Sequence, residues 1–377
     1  MSVLIRSNSY ILYPVKKNQT MQNQVVIVIN PGSTSTKMAI YNRNGEITSE
    51  TIRHKQSELD KFTHFADQLD YRYCMINKWI GCILEGKNYK VAGVVGRGGI
   101  LKPLEGGTYR VSESLLKDAK EFTYGEHASN FGGLLADMMK SSFGLKESYI
   151  VDPVSCGNMY PKAEISGVPG IVRDGRGHIL NIKMTARKIA IKQNIPFEKT
   201  CYVIAHLGGG ISVSLVMAGR LVDVNDGLLG MGPFTPNRAG SLPLRGVMKL
   251  CYSKTEKEVE CLFTKNSGFK GYLGTEDVIE VMRMVEDGDE YAKLIYEAFV
   301  YQIAKEIGAY YVASKCKAQA IIVTGGIAYN EKFNNDLKEY VGSLTEFHVY
   351  PGENEMEALS EGVFRVLDGK EKAQEYD

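Results

Sequence analysis

Charge of one sign is missing from this sequence: 45 lysines and arginines face 44 aspartates and glutamates. A balance so even offers no basic field to nucleic acid or to an anionic membrane surface. Long apolar runs are missing too, and no stretch approaches the roughly 20 residues that a membrane-crossing helix requires. The seven cysteines, at 74, 82, 156, 201, 251, 261 and 316, lack the paired spacings of a metal site and fit a reduced, cytoplasmic protein. No secretion signal is legible in residues 1–20, where Arg6, Asn8 and Pro14 interrupt the apolar positions. Residues 1–21 read as a disordered N-terminal extension, with Met21 just ahead of the first strand.

Two glycine patterns are also absent. A Walker A loop needs a second glycine before its lysine and Ser or Thr after it; the stretch from Gly32 to Met38, GSTSTKM, has neither. A dinucleotide fingerprint needs three spaced glycines opening a helix, whereas the residues from Lys37 to Tyr41 continue as a strand.

What stands there instead is VVIVINPGSTSTKMAIYN, residues 25–42. Two apolar strands flank four consecutive hydroxyls, Ser33 to Thr36, closed by Lys37. A polar hairpin tip would account for the composition. The surplus of donors beside a cation favours a negatively charged guest. Asn44-Gly45 marks a second hairpin before a strand over 46–52. The same unit recurs about 176 positions later in CYVIAHLGGGISVSLVMAGRLVDV, residues 201–224. Here a strand meets Gly208, Gly209 and Gly210, returns over 213–217, turns at Ala218-Gly219 and leaves again over 221–224. Glycines let a backbone approach a ligand and aim its N–H groups at it. A third junction, AIIVTGGIAYNEKF at 320–333, runs a buried strand into Gly325-Gly326 and starts a helix near Asn330, a place for a flat group or a phosphate against bare backbone. Residues 57–85 and 289–315 read as long helices. The second carries Tyr296, Phe299, Tyr301, Tyr310 and Tyr311. These either fill the core or exceed one buried face, in which case a homodimer or larger homo-oligomer is expected.

Two tandem strand–loop–strand units with a Gly-Gly loop resemble the superfamily of acetate and sugar kinases, heat-shock-70 proteins and actin. That resemblance implies an α/β protein of two duplicated ribonuclease-H-like domains, the actin-like ATPase fold, facing a central cleft. The expected domains are 22–153 plus 358–377, and 154–357, joined near residues 152–156. Eight ordered motifs narrow the resemblance to the butyrate kinase branch of the acetokinase family: INPGSTSTK, GRGGILKPLEGGTY, GEHASNFG, HLGGGISV, TPNRAGSLPL, YLGTEDV, TGGIAYN and PGENEMEAL.

The resemblance implies reversible phosphoryl transfer from ATP to a short-chain carboxylic acid, with ATP/ADP and Mg²⁺ as cofactors and butanoyl phosphate as product. A carboxylate is already a deprotonated nucleophile, so catalysis must come from positioning and charge neutralisation. By resemblance, Arg97 and Arg238 meet carboxylate and phosphoryl oxygens, His178 stabilises the phosphoryl in flight, and Asp152 is catalytic. His127 and Asn130 shape the acyl site with Gly99; His127 reads equally as a structural histidine. Asn30, Ser33, Ser35 and Lys37 meet the transferred phosphate, and His206 with Gly208, Gly209 and Gly210 the ATP phosphates. Thr275, Glu276, Asp277, Gly325, Gly326, Ile327 and Asn330 hold the nucleoside. Asp152 and Glu355 are the magnesium-linked acids, Glu355 reading otherwise as a helix-start residue. Gly98 and Gly99 follow Arg97 where acetate kinases are expected to carry bulkier apolar residues, so a pocket for a longer acyl tail is expected there. Butyrate, isobutyrate, isovalerate, propionate and acetate remain open as acceptors. A sugar kinase using Asp152 as base, and a nucleotide-switched chaperone or filament protein, are the rivals from other classes.

Overall fold

A computed structural model describes residues 23–157, 159–229 and 231–377; the extension expected over residues 1–21 lies outside them. Strands β1 (Gln24–Pro31), β2 (Ser35–Asn42) and β3 (Gly45–Arg53) form an antiparallel meander. Strands β4 (Lys90–Arg97) and β6 (Tyr149–Val151) extend it parallel to β1, and β5 (Thr108–Arg110) closes the edge, giving the order β3-β2-β1-β4-β6-β5. The second sheet repeats the plan. Its meander is β7 (Cys201–Leu207), β8 (Ile211–Met217) and β9 (Arg220–Val224), with β10 (Ala320–Thr324) and β11 (Glu346–Val349) added parallel to β7 in the order β11-β10-β7-β8-β9. The two sheets stay separate, as the repeat requires.

Among the helices are α1 (Gln68–Leu84), α2 (Phe131–Lys140), α3 (Ile179–Lys192), α4 (Leu244–Ser253), α5 (Glu290–Ala313), α6 (Glu331–Val341) and α7 (Glu355–Leu367). Successive strand side chains point to opposite faces, so both faces of each sheet must be covered when both rows are apolar. Val25, Ile27 and Ile29 pack with Ile76 and Ile80 of α1 and with Phe131 and Leu135 of α2. Val26 and Val28 pack on Leu359 and Val363 of α7, which returns the end of the chain to the first sheet. In the second sheet, Val203, Ala205 and Leu207 meet Phe299, Ile303 and Ile307 of α5. Ile204 meets Ile182, Ala186 and Ile189 of α3 on the other face.

The single helix expected over 57–85 is broken. A turn at Gln56–Leu59 stops, and a 3-10 turn at Phe65–Asp67 leads into α1. The Asp67 carboxylate accepts from the His64 N–H at 3.2 Å in a capping box, which restarts the helix. In α5, Tyr296, Phe299 and Tyr310 are core, whereas Tyr301 is exposed.

Candidate active site

The loop between β1 and β2 is a tight turn in which Gly32 N–H donates to Ser35 O at 2.7 Å. Ser33, Thr34 and Lys37 are exposed, while Thr36 is fully buried. At the base of the loop, Asn30 Nδ2 donates to Glu355 Oε2 at 3.0 Å, and the same oxygen accepts from Arg97 Nη1. Strand β4 delivers Arg97 at its last residue and helix α7 delivers Glu355 at its first. The first turn of α2 seats directly on this strand end. A side chain at Gly96 would lie 1.8 Å from Gly132 O, and one at Gly132 would lie 2.1 Å from Arg97 O. Only glycine permits that approach.

Across from it, the loop of Gly208, Gly209 and Gly210 joins β7 to β8. The rings of His178 and His206 stack with centroids 3.8 Å apart and planes within 10°. Asn354 N–H donates to Asn181 Oδ1 at 3.1 Å, which fixes the Asn181 amide and makes its Nδ2 the donor to His206 Nδ1 at 2.8 Å. His206 therefore carries its proton on Nε2. That nitrogen is buried without a hydrogen-bond partner, 3.9 Å from Glu353 Oε1. Burial holds the His206 pKa well below the usual histidine value, with the charges of His178 and Arg97 acting the same way. His178 sits at about 4: burial dominates, Glu355 opposes it, and Arg97 and Arg238 add to it. Ser212 Oγ accepts from the His178 backbone N–H at 3.3 Å and lies 3.0 Å from His178 Nδ1. Arg238 is anchored by Nη1 donating to Gly227 O at 2.7 Å, while its Nε is buried without a partner. A side chain at Gly210 would strike Arg238 Nη1 at 2.8 Å and His178 Cε1 at 3.1 Å. Glu353 is shifted upward by burial first and by Glu355 next, against the pull of Arg97 and Lys37. Both glycine-bearing loops thus share one electrostatic neighbourhood.

Beside the glycine loop opens a cavity of about 490 Å³ lined by Gly208, Gly209, Glu276, Asp277, Gly326, Ile327 and Asn330, all expected at the nucleotide. Its size suits one drug-sized ligand. Pro236, Asn237, Val278, Ile279, Tyr329 and Glu353 complete the lining and were not legible in the sequence. The signal available was local: Pro236, Asn237, Val278, Tyr329 and Glu353 stand inside four of the eight motifs. Thr275, expected at the nucleoside, instead closes the turn before Asp277 and donates to Glu280 Oε2. Gly325, at φ +91°, is where β10 crosses the end of β7, since a side chain there would lie 2.3 Å from Leu207 O.

Two expectations need correction. The room anticipated beside Gly98 and Gly99 is filled. A side chain at Gly98 would lie 2.4 Å from Pro153 Cβ, and one at Gly99 2.4 Å from Asn130 Oδ1 and 2.5 Å from Asn130 Cα. Asn130 uses the vacated space to accept from Ile100 N–H at 3.0 Å and to donate to Gly125 O at 3.0 Å. These glycines admit protein backbone rather than an acyl tail. His127 caps the same turn, its Nδ1 accepting from Ser129 N–H at 3.2 Å; burial and the Arg97 charge lower its pKa.

The second correction concerns the acids expected at magnesium. Asp152, at the left-handed φ of 39° just past β6, is buried in an ion pair with Lys183 of α3, their side chains 3% and 5% exposed. Glu355 is paired with Arg97 and accepts a hydrogen bond from Asn30, but both bonds fall on Oε2, so Oε1 remains for a contact to phosphate-held magnesium. Among the described residues no group of three His, Cys, Asp or Glu gathers for a metal. A magnesium ion bound chiefly by nucleotide phosphates needs only one or two carboxylates; each acid is paired through a single oxygen, and Glu355, 16% exposed against 3% for Asp152, is the more accessible of the two.

The pattern of the Acetokinase family matches residues 170–354. Butyrate kinase 2 of Clostridium acetobutylicum is 42% identical over 356 residues, covering 93% of this chain and 99% of the relative. A probable butyrate kinase of Listeria monocytogenes serotype 4b is 44% identical over the same shares. The chain belongs to the acetokinase family. It is a carboxylate kinase, a phosphotransferase acting on short-chain acids, and the rival readings as a sugar kinase or a nucleotide-switched chaperone fall away. The crystal structure of Porphyromonas gingivalis acetate kinase superposes with a TM-score of 0.72 at 16% identity, covering 90% of this kinase and 99% of that chain. A propionate kinase from Francisella tularensis gives 0.69 at 17% identity, with 90% and 98% covered. At that identity the likeness speaks for the fold alone: two duplicated actin-like ATPase domains about a cleft.

Proposed function

We propose that this kinase transfers the γ-phosphoryl group of ATP in line to butyrate, giving ADP and butanoyl phosphate. The observation that carries the reading is the buried, unpartnered Nε2–H of His206 between the Gly208–Gly209 cavity and the Arg97–Lys37 side of the cleft. A buried donor left without a partner is costly, and a nucleotide phosphate oxygen would satisfy it. The nucleoside lies in the 490 Å³ cavity, the transferred group between Ser33, Ser35 and Lys37 on one loop and Gly210 on the other. Arg238 Nε, buried without a partner, is aligned by the Gly227 carbonyl and neutralises equatorial oxygens in the transition state. Arg97, already holding Glu355, orients the acceptor carboxylate.

His178 stays neutral at pH 7, so it stabilises the phosphoryl group as a hydrogen-bond donor rather than as a cation. Ser212 Oγ, accepting from the His178 backbone, can turn its own proton to Nδ1 and leave Nε2–H for the substrate. Magnesium, held by nucleotide phosphates with Glu355, would offset phosphate charge. Asp152 acts at a distance: its pair with Lys183 ties the end of β6 to α3, between the proposed domains 22–153 plus 358–377 and 154–357. Closure of the cleft would keep water from the phosphoryl group. Residues 22–153 and the α7 segment move together in that closure.

Trapping butanoyl phosphate with hydroxylamine tests the activity. Across acetate, propionate, butyrate, isobutyrate and isovalerate, kcat/KM is expected to peak at butyrate; a peak at acetate overturns the substrate assignment. All seven cysteines are unpaired, which supports a cytoplasmic setting. No described helix is long and apolar enough to cross a membrane. A homodimer is proposed from α4, which has no buried residue. Its Leu244, Met248 and Tyr252, spaced by four, are 78%, 57% and 89% exposed. Such a stripe on a soluble chain marks an interaction surface. Light scattering should give a dimer or larger for the native chain and a monomer for Leu244→Glu combined with Tyr252→Glu.

A further inference from the structure

Behind the loop that carries Ser33 and Lys37 lies a large, fully buried side chain, Arg72 of α1, with no exposed surface. Every hydrogen bond it makes but one is to that loop. Nη1 donates to Gly32 O at 2.8 Å, to Ser35 O at 3.3 Å and to Thr36 Oγ1 at 3.1 Å; Nη2 donates to Ser33 O at 2.9 Å. The remaining bond runs to Gln68 Oε1, one turn back on α1, at 3.0 Å. The guanidinium also lies over the Phe131 ring, 5.6 Å from its centroid. Among the described residues no carboxylate pairs with it; burial pulls its pKa down to about 10, which still leaves it charged at pH 7. A buried cation that has only dipoles for company is expensive. Fold stability alone offers no reason to keep one there, when an apolar residue would fill the space more cheaply.

Thr36 relays the arrangement. Thr36 Oγ1, which accepts from Arg72 Nη1, also lies 2.9 Å from His54 Nε2, and the His54 backbone N–H donates to Thr34 O at 2.8 Å. His54 is lowered to about 4 by burial first and by Arg72 second, so it is neutral and adds no second charge. The carbonyls of Gly32, Ser33, Thr34 and Ser35 are thereby all engaged from within the turn or from behind it, which leaves the hydroxyls of Ser33 and Thr34 and the Lys37 ammonium on the open side.

We infer that Arg72 is a positioning residue for phosphoryl transfer, which holds the carbonyls of the 32–36 loop away from the cleft and supplies through the loop the positive charge that the transferred phosphoryl group meets. The inference rests on the proposal that this loop receives that group. In the free enzyme the charge is uncompensated; in the complex the phosphoryl group is its counter-ion. Reaction geometry tolerates little slack here, because a displacement near 1 Å at the reacting centre can cost about 10²-fold in rate.

The test compares the ADP dissociation constant by calorimetry, the butanoyl phosphate KM in the ATP-forming direction, kcat, and thermal stability. Arg72→Met keeps the bulk and removes the charge. It is expected to raise the butanoyl phosphate KM about tenfold and lower kcat about 10²-fold, with ADP affinity unchanged. Arg72→Lys keeps the charge without the planar fork, so it should restore most of the butanoyl phosphate KM and little of kcat. A merely structural residue would give a lower melting temperature with kcat and KM of the folded enzyme intact, and that result overturns the inference. So does a parallel loss of ADP affinity, which would mean general disruption. Should Arg72→Met not fold, Thr36→Val removes the relay hydroxyl at nearly constant volume. It is expected to raise the butanoyl phosphate KM about threefold, and no change there overturns the inference as well. Lys37→Ala separates the two levels of the proposal. If it leaves the butanoyl phosphate KM unmoved, the loop is not the phosphoryl site. If it raises that KM while the Arg72 and Thr36 variants do not, the loop reading survives and Arg72 is only a core residue.

Discussion

Replacing Gly99 by alanine distinguishes a pocket wall from a packing contact. The added methyl would sit 2.5 Å from Asn130 Cα and 2.4 Å from Asn130 Oδ1. An ordinary carbon contact is about 3.5 Å, so relief requires a displacement of about 1 Å. Asn130 cannot retreat easily, because Phe131 and Gly132 behind it are already seated on β4, where a Gly132 side chain would lie 2.1 Å from Arg97 O. The hydrogen bond from Ile100 N–H to Asn130 Oδ1, 3.0 Å long in the native chain, breaks first. Overpacking of this kind costs about 1–3 kcal/mol of stability. The same shift passes to Arg97, two residues upstream, and misplacement near 1 Å costs about 10²-fold in rate. The hydroxamate assay on Gly99→Ala should therefore show kcat/KM falling by about one to two orders of magnitude for acetate, propionate and butyrate alike, with their ratios preserved. If acetate kept its native kcat/KM while butyrate collapsed, the methyl would be filling an acyl pocket and the packing account would be wrong.

Arg238→Ala should lower kcat by about two to four orders of magnitude with little change in the ATP KM, and Arg238→Lys should recover little of it, since a point charge cannot reproduce two aligned bonds; a raised ATP KM with kcat spared would make Arg238 a ground-state binding residue. Lys183→Met strands the buried Asp152 carboxylate and should cost about 3–5 kcal/mol in a urea titration, whereas Lys183→Met with Asp152→Leu should cost clearly less; equal losses would mean that the pair does not act as a unit. His54 and His178 both fall from 6.5 to about 4 on folding. The unfolded chain therefore takes up protons first as pH drops, and the stability these rings contribute is complete above about pH 6.5 and lost as pH falls towards 4. Urea midpoints at successive pH values should decline through that window, with a shallower decline for His54→Gln; an unchanged slope would place the burden elsewhere.

The sequence by itself determined the two strand–loop–strand units, because their signals are local: short continuous apolar runs in β1 and β7, and hydroxyls or glycines confined to the turns. It also named seven of the thirteen residues that line the cavity beside the glycine loop, since Gly208, Gly209, Gly326 and Ile327 lie next to strand ends that apolar runs can find. Arg97, Arg238 and His206 were legible as motif residues and His178 by resemblance alone, and the structure gathers the four in one charged neighbourhood. Their chemistry was not legible. The tautomer of His206 depends on Asn181 and Asn354, which lie far from it along the chain, and Asp152 is neutralised by a lysine on a helix of the other half. Arg72 carried no signal, since a lone arginine on an amphipathic helix reads as surface until α1 is docked against the β1–β2 loop. Gly99 misled for the same reason. A missing side chain is visible in the sequence, but what fills the space depends on packing, and here α2 reached it before a ligand could. Charge compensation and occupied volume are properties of neighbours in space, so only the tertiary structure could decide them.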